Sequence, residues 1–364
     1  MRLHLYFARR FLVLFGGITA IFVVLQLLFD LIEHLRMLGS TGAGFGQVVG
    51  LTALNVPLGI YRLMPLIMIL TTLALFLSLA RTSELVVTRA SGRSALRSLA
   101  SPGVMGLVIG VLSVALLNPI AAGTSRQYGL VKSQLTGSGN FLELAGDGLW
   151  LRQGTSKGQT VIHATSANFD GTLLNDLTFI TFTFAEGPVR RVESDTARLV
   201  AGAWETTNAK VWPLSASDNP EVDSIEFETF SVPSTLTPGQ IRDSFAAPSS
   251  ISIWNLPAFI DQLTTAGFSS RRHEVFFQTE LAQPLFLLAM LLIGAGFTMR
   301  HQRGGKTGLM VLAAILLSFG LYFLRNFAVI LGENGQIPVA LAAWAPPLAG
   351  IGMSLGFLLH TEDG

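Results

Sequence analysis

The stretch from Ala80 to Pro102, ARTSELVVTRASGRSALRSLASP, joins two long apolar runs and decides how the chain is built. It carries Arg81, Arg89, Arg93 and Arg97 against a single acid, Glu84. Lysine and arginine gather on the cytoplasmic loops of membrane proteins, so a basic link between two greasy segments reads as such a loop. Composition agrees. Half of the 364 residues are hydrophobic and 13% are charged, whereas a soluble domain is typically about one quarter charged. Cysteine is absent, which excludes disulfides, thiolate chemistry and Cys-ligated metals.

Working outward from the link, six segments have the roughly 20 apolar residues that a bilayer crossing needs. They are 11–29, extending as helix to about Leu38; 52–80, interrupted by Arg62; 99–123; 276–299; 307–324; and 336–359. The first is longer than a signal-peptide core and no small-residue cleavage site follows it, so it reads as a retained helix. With the N-terminus inside, the inner segments hold Arg2, Arg9, Arg10, Arg81, Arg89, Arg93, Arg97, Arg300, Arg303 and Lys306, opposed by Glu84, Glu362 and Asp363. The short outer loops hold Asp30, Glu33, Arg36, Arg325 and Glu333, close to balance. This asymmetry places both termini in the cytoplasm and the middle of the chain outside.

The middle, 124–274, has strand character. LTFITFTF (177–184) is rich in residues that suit a pleated sheet. DSIEFETF (223–230) alternates acids with Ile225 and Phe227, the period of a sheet with one wet face. FLELAGDGLWLRQG (141–154) reads as two strands around a Gly-Asp-Gly turn, and FAEGPVRRVES (184–194) as another turn. SIWNLPAFIDQLTTAG (252–267) then switches to helical period, giving an amphipathic elbow at about 253–266 that leads back to the membrane. The predicted fold is a membrane α-helical bundle of six transmembrane helices, three plus three, with an inserted periplasmic all-β domain of sandwich or jelly-roll type. The expected boundaries are 1–123, 124–274 and 275–364.

Enzyme chemistry finds little support. RGGKTG (303–308) lacks the glycine four residues before Gly-Lys that a phosphate loop requires, and no strand precedes it. HExxH does not occur. The histidines, His4, His34, His163, His273, His301 and His360, are scattered singly, as surface or packing histidines are. No cofactor is expected. Ionisable residues in or beside the spans carry more meaning, because they usually face a bundle interior or a water path. Arg62 lies in the second span near its outer end, Arg325 ends the fifth, and Arg126 and Lys132 follow the third. Glu33 and Arg36 are three apart, a spacing that lets them pair on one helical face. Arg36, Arg62, Arg126, Lys132 and Arg325 either form a cationic ring for an anionic lipid headgroup or anchor the helices by snorkelling.

Topology accounts for the arginines of the basic link but not for Glu84. SELVVTRASG has helical propensity: Ser83 can cap it, Glu84 suits the first turn and Gly92 can end it. The resulting helix, about 82–92, either lies on lipid headgroups or enters a partner's groove, where Glu84 would meet a cation. A carboxylate is disfavoured against anionic lipid. The bland alternative is a capping acid without a partner.

RTSELVVTRASGRS resembles the cytoplasmic helix of the LptF/LptG permeases, which export lipopolysaccharide. The resemblance spans the whole chain. NVPLGIYRLMPLIMILTTLALFLSLARTSEL is similar to the family's second span, GDGLWLRQG to its first periplasmic strands, and WNLPAFIDQLTTAGF with the following QPL to its elbow and fourth span. GLYFLRNFAVILGENGQIPVALAAWAPP resembles the last two spans. The GLW strand, SELVV and the tail favour LptG over LptF.

The resemblance implies a non-catalytic subunit of an ABC transporter. An LptF–LptG heterodimer sits over a dimer of the ATPase LptB. It extracts lipopolysaccharide from the outer leaflet of the inner membrane and passes it to LptC and LptA. The cytoplasmic helix, here Ser83, Glu84, Leu85, Arg89 and Gly92, is implied to dock in an ATPase groove, with Glu84 on an ATPase arginine. Arg126 is implied to contact lipid phosphate. Two positions depart from the family's pattern: Asp30 and Glu280 stand where basic residues are common. Arg36, Arg62, Arg126 and Arg325 are expected to substitute. The contrasting expectation is a membrane-anchored periplasmic scaffold that moves no lipid.

Overall fold

The computed structural model describes residues 2–39, 42–84, 87, 90, 94–136, 142–143, 149–155, 158–167, 171–183, 187–215, 219–234, 248–265, 269–299 and 307–362. Six helical spans are long and apolar enough to cross a membrane. They are built by α1 (Arg2–Leu38), α2 (Phe45–Arg81), α3 (Ala95–Leu112) continued through a π-helical turn (Ser113–Leu117) into α4 (Asn118–Thr136), α6 (Arg271–Thr298), α7 (Thr307–Glu333) and α8 (Val339–Glu362). The short α5 (Leu256–Thr265) precedes α6. The helices outrun the expected spans. α2 begins at Phe45 rather than 52, α4 carries the third span on to Thr136, and α7 runs past Leu324 to Glu333. The extensions are polar or mixed in sequence. The α4 extension is polar, whereas FGQVVGL (45–51) and FAVIL (327–331) carry apolar residues that the expected spans left out.

By contacts the chain divides into two compact units. One comprises Met1–Gly129, Pro248–Pro257 and Arg271–Gly364, and the other Leu130–Ala247 and Ala258–Ser270. In the first, α6 is the hub: 72% of its most apolar stretch is buried, against 6% for α1 and 17% for α7. Small residues let neighbours approach it. A Cβ on Gly110 of α3 would lie 2.6 Å from Pro284 Cα of α6, a distance only glycine permits. Phe76, Phe286, Leu75 and Ile293 are among the buried residues of this unit's core.

The second unit contains an antiparallel sheet of β1 (Leu142–Glu143), β2 (Leu149–Thr155), β3 (Gly158–Ala167), β4 (Leu173–Thr183), β5 (Gly187–Val200), β6 (Ala203–Pro213) and β7 (Ile225–Pro233). From β2 to β7 it is a meander in which each strand pairs with the next. The tight β5–β6 turn places Gly202 at φ +84°, a conformation glycine adopts without strain. One face packs Trp204, Phe179, Ile162, Leu174 and Val232 into a core. Although β2 and β7 are opposite edges, Gln153 on β2 donates to the Pro233 carbonyl at 2.8 Å and accepts from Ser234 Oγ at 2.7 Å. The sheet therefore curls until its edges meet at Gln153.

Two strand expectations change. β1 and β2 are not hairpin partners; both pair with β3, at its two ends. On β7, Ile225 and Phe227 are 57% and 38% exposed rather than turned into the core. β7 is an edge strand: Ile225 and Phe227 pair with Val211 and Ala209 of β6, and no strand follows β7 in the sheet order to cover their other side.

Candidate functional site

Three polar constellations interrupt the apolar bundle, two of them at the ends of α1. At the first, α2 ends where Ser83 adopts φ +57°, the left-handed region that stops a helix. The Ser83 carbonyl then accepts from Val87 N–H at 3.1 Å, starting a new helical turn. Ser83 thus caps with its backbone. Glu84, Val87 and Ala90 are helical, whereas Leu85, Arg89 and Gly92 of the expected docking helix lie outside the described residues.

Glu84 does not stand alone. Its Oε1 accepts from Arg10 Nη1 and from Thr82 Oγ1, each at 2.8 Å. Arg10 Nη1 also donates to Tyr6 OH at 2.7 Å. Burial raises the Glu84 pKa, but hydrogen bonds from Arg10, Thr82 and Tyr6 outweigh it and hold the carboxyl below its ordinary range. Phe7 and Phe11, beside Arg10 in sequence, are buried in the bundle core, which fixes that end of α1.

At the other end of α1 the expected Glu33–Arg36 pair does not form. Helical phase turns the intervening His34 inward instead. Thr52 Oγ1 spends its hydrogen on the Val48 carbonyl at 2.9 Å, so it accepts from His34 Nδ1 at 3.0 Å. His34 Nε2 then accepts from Tyr128 OH at 2.9 Å. Asp30 accepts from Asn55 Nδ2 at 2.9 Å, so this departure from the family's basic pattern serves as an α1–α2 bond.

The second departure, Glu280, is buried at 4% exposure. It accepts from the Tyr61 hydroxyl of α2 and, at 3.3 Å, from Asn118 Nδ2 of α4. Asn118 Oδ1 takes the Ile253 N–H at 3.1 Å, and the π-turn leaves the Ala115 carbonyl to accept from Trp254 Nε1 at 3.1 Å. Widened π-turns release carbonyls in this way, often at functional sites. Arg325 donates to Gln283 Oε1 at 2.9 Å and stands 4.7 Å over the Phe286 ring. Tyr61, Glu280, Gln283 and Arg325 bring polar groups to the wall of a cavity of about 100 Å³. Arg62 lines it too, and also lines an apolar cavity of about 150 Å³ with Leu66, Met290, Ile315 and Phe319. Arg62 thus borders both cavities.

Of the five predicted headgroup cations, the structure brings Arg62 and Arg325 to one cavity. Neither sits at a helix end. Because α2 and α7 are longer than hydropathy indicated, Arg62 falls in mid-helix and Arg325 eight residues before Glu333. Arg36 and Arg126 are exposed on α1 and α4, away from that cavity, and Lys132 belongs to the second unit. Sequence reasoning missed Tyr61, Asn118, Gln283 and the hub role of His34. Their signal was present as polar side chains within apolar spans, which seek partners across helices. No cluster of three metal-ligating side chains occurs among the described residues.

Residues 5–360 match the model for the lipopolysaccharide export system permease LptF/LptG. The chain belongs to the LptF/LptG permease family. Among its relatives, the lipopolysaccharide export system permease protein LptG of Escherichia coli (strain K12) is 25% identical over 346 residues, covering 93% of this chain and 91% of that protein. LptG of Haemophilus influenzae (strain ATCC 51907 / DSM 11121 / KW20 / Rd) is 24% identical over 356 residues, covering 94% and 93%. Membership in LptF/LptG makes this a multi-pass permease subunit of a lipopolysaccharide export system.

Proposed function

We propose that the chain is the LptG-like subunit of an ABC transporter that extracts lipopolysaccharide from the outer leaflet of the inner membrane. It pairs with an LptF-like permease over a dimer of LptB-like ATPases, which hydrolyse the ATP, and passes lipid to LptC- and LptA-like proteins. The full-length family match carries this reading; the LptG names of the relatives favour LptG over LptF. In this reading both termini are cytoplasmic and the β-unit is periplasmic, an orientation that the ten cations on the inner segments support.

Glu84 is the ATPase contact, with Ser83, Leu85, Arg89 and Gly92 forming its helix. Arg62 and Arg325 receive lipid phosphate from the bundle cavity, and Arg36, Arg126 and Lys132 act along the route out. Co-purification with tagged ATPase and its partner permease, with lipopolysaccharide assayed in the eluate, tests the reading. Glu84→Ala should lose ATPase capture and transport. A chain that captures ATPase and supports transport equally well without Glu84 would overturn the docking role. Absence of lipopolysaccharide and of ATPase from the wild-type eluate would favour a scaffold.

A further inference from the structure

The carboxylate assigned to the ATPase already has a partner within its own chain. Arg10 lies 74 positions earlier, on a different span, and reaches Glu84 at 2.8 Å. We propose that Arg10 is a positioning residue of the ATPase docking point, which orients Glu84 and passes the displacement of the docked helix to α1. The proposal rests on the reading of Glu84 as that docking point.

Three observations support it. First, the carboxylate is oriented from two directions: Arg10 Nη1 and Thr82 Oγ1 meet the same oxygen, Oε1. Its rotamer is therefore set before any partner arrives, which lowers the ordering cost of docking. The side chain remains 33% exposed, so a partner cation can reach it.

Second, Arg10 is held on a firm footing. Phe7 and Phe11 flank it in the bundle core at 2% and 0% exposure, and its guanidinium also bonds Tyr6 OH. A pull on Glu84 is thus delivered to the α1 backbone instead of being absorbed by a loose side chain.

Third, α1 offers little resistance along its length. From Leu12 to Glu33 none of its side chains is buried, and the next cross-helix hydrogen bonds come only near the other end, at Asp30 on Asn55 and at His34 on Thr52 and Tyr128. Gly16 and Gly17 have no neighbour within 4 Å of where a Cβ would stand. A helix fixed at its two ends can tilt when one fixed point moves. α2 differs, because 61% of its most apolar stretch is buried. The Arg10–Glu84 pair therefore joins the coupling segment to the span that packing restrains least.

The test uses the full chain co-expressed with its partner permease and ATPase, reconstituted in liposomes carrying lipopolysaccharide. ATPase capture, ATP hydrolysis and lipopolysaccharide released per ATP are read for Arg10→Gln, Arg10→Lys, Glu84→Gln and the double variant Arg10→Gln/Glu84→Gln. A partly exposed ion pair contributes little to folding, so Arg10→Gln should assemble and lose about fivefold in lipid released per ATP, with Arg10→Lys largely restored. The double variant should be no worse than Glu84→Gln, because Arg10 acts through Glu84. Unchanged release per ATP in Arg10→Gln, or additive losses in the double variant, would overturn the proposal. So would equal loss of assembly in Arg10→Gln and Arg10→Lys, which marks a structural role. Unchanged ATPase capture and transport in Glu84→Gln would instead remove the docking reading on which it stands.

Discussion

Tyr61 of α2 donates its hydroxyl hydrogen to the Glu280 carboxylate of α6, joining two spans that are 219 residues apart in sequence. Asn118 adds a third helix to the same oxygen, Oε2. A carboxylate inside an apolar bundle is tolerated where such donors compensate its lost hydration. The cluster consequently ties the two halves of the membrane unit together beside the cavity that holds Arg62 and Arg325.

Tyr61→Phe removes one donor from Glu280 without changing side-chain volume much. The unit should lose about 1–3 kcal/mol, the usual cost of leaving a buried polar group short of a partner. Thermal unfolding in detergent would show it as a lowered midpoint. Pairing Tyr61→Phe with Glu280→Gln should give less than additive loss. Additive losses would mean that the two side chains act independently.

Gly110→Val puts a branched side chain against the Pro284 backbone of α6. Neither partner can yield by rotating a side chain, so α3 and α6 must separate, at a cost of about 1–3 kcal/mol. Gly103→Val is the control, since the nearest atom to its Cβ position is Leu288 Cδ1 at 3.8 Å. A similar unfolding midpoint for both variants would remove the close-approach argument.

Gln153→Ala should open the seam between the edge strands of the β-unit. Gln153 is 3% exposed and bonds both Pro233 and Ser234. Its loss takes one partner from the buried Ser234 hydroxyl and one from the part-buried Pro233 carbonyl, about 1–3 kcal/mol in all. Hydrogen exchange should quicken at β2 and β7 first. Protection that falls uniformly over all strands would count against a local seam.

Acid should release the Arg10–Glu84 pair. The Glu84 carboxyl is held below its ordinary pKa, chiefly by Arg10 and Thr82 acting against burial. The stability it contributes is therefore present above the ordinary carboxylate value and disappears as pH falls through the folded one. Wild type and Glu84→Gln should differ in unfolding midpoint at neutral pH and converge in acid. A difference that persists below the carboxylate range would assign it to something other than this charge.

Several features were legible from local sequence. Apolar runs announced the six spans, because crossing a bilayer is a demand on length and composition that each segment meets by itself. The alternating and Phe/Thr-rich stretches announced strands for the same reason. Element ends were less legible: α2 and α7 run on through 45–51 and 325–333, where Gln47, Arg325 and Asn326 interrupt the apolar residues, so Arg62 and Arg325 stand inside their helices rather than at the ends. Spacing also misled at Glu33 and Arg36. The rule that residues three apart share a helix face is correct, yet His34 had the buried partners.

Sequence alone determined the class of this protein: a helical membrane protein with an all-β insert, a basic link between two spans and an acid within it. These follow from hydropathy, period and charge, which act over a few residues. Tertiary structure decided the partners: Arg10 for Glu84, Tyr61 and Asn118 for Glu280, and Gln153 for the far edge of its own sheet. A hydrogen bond acts over about 3 Å of space regardless of separation along the chain, so no local pattern records it.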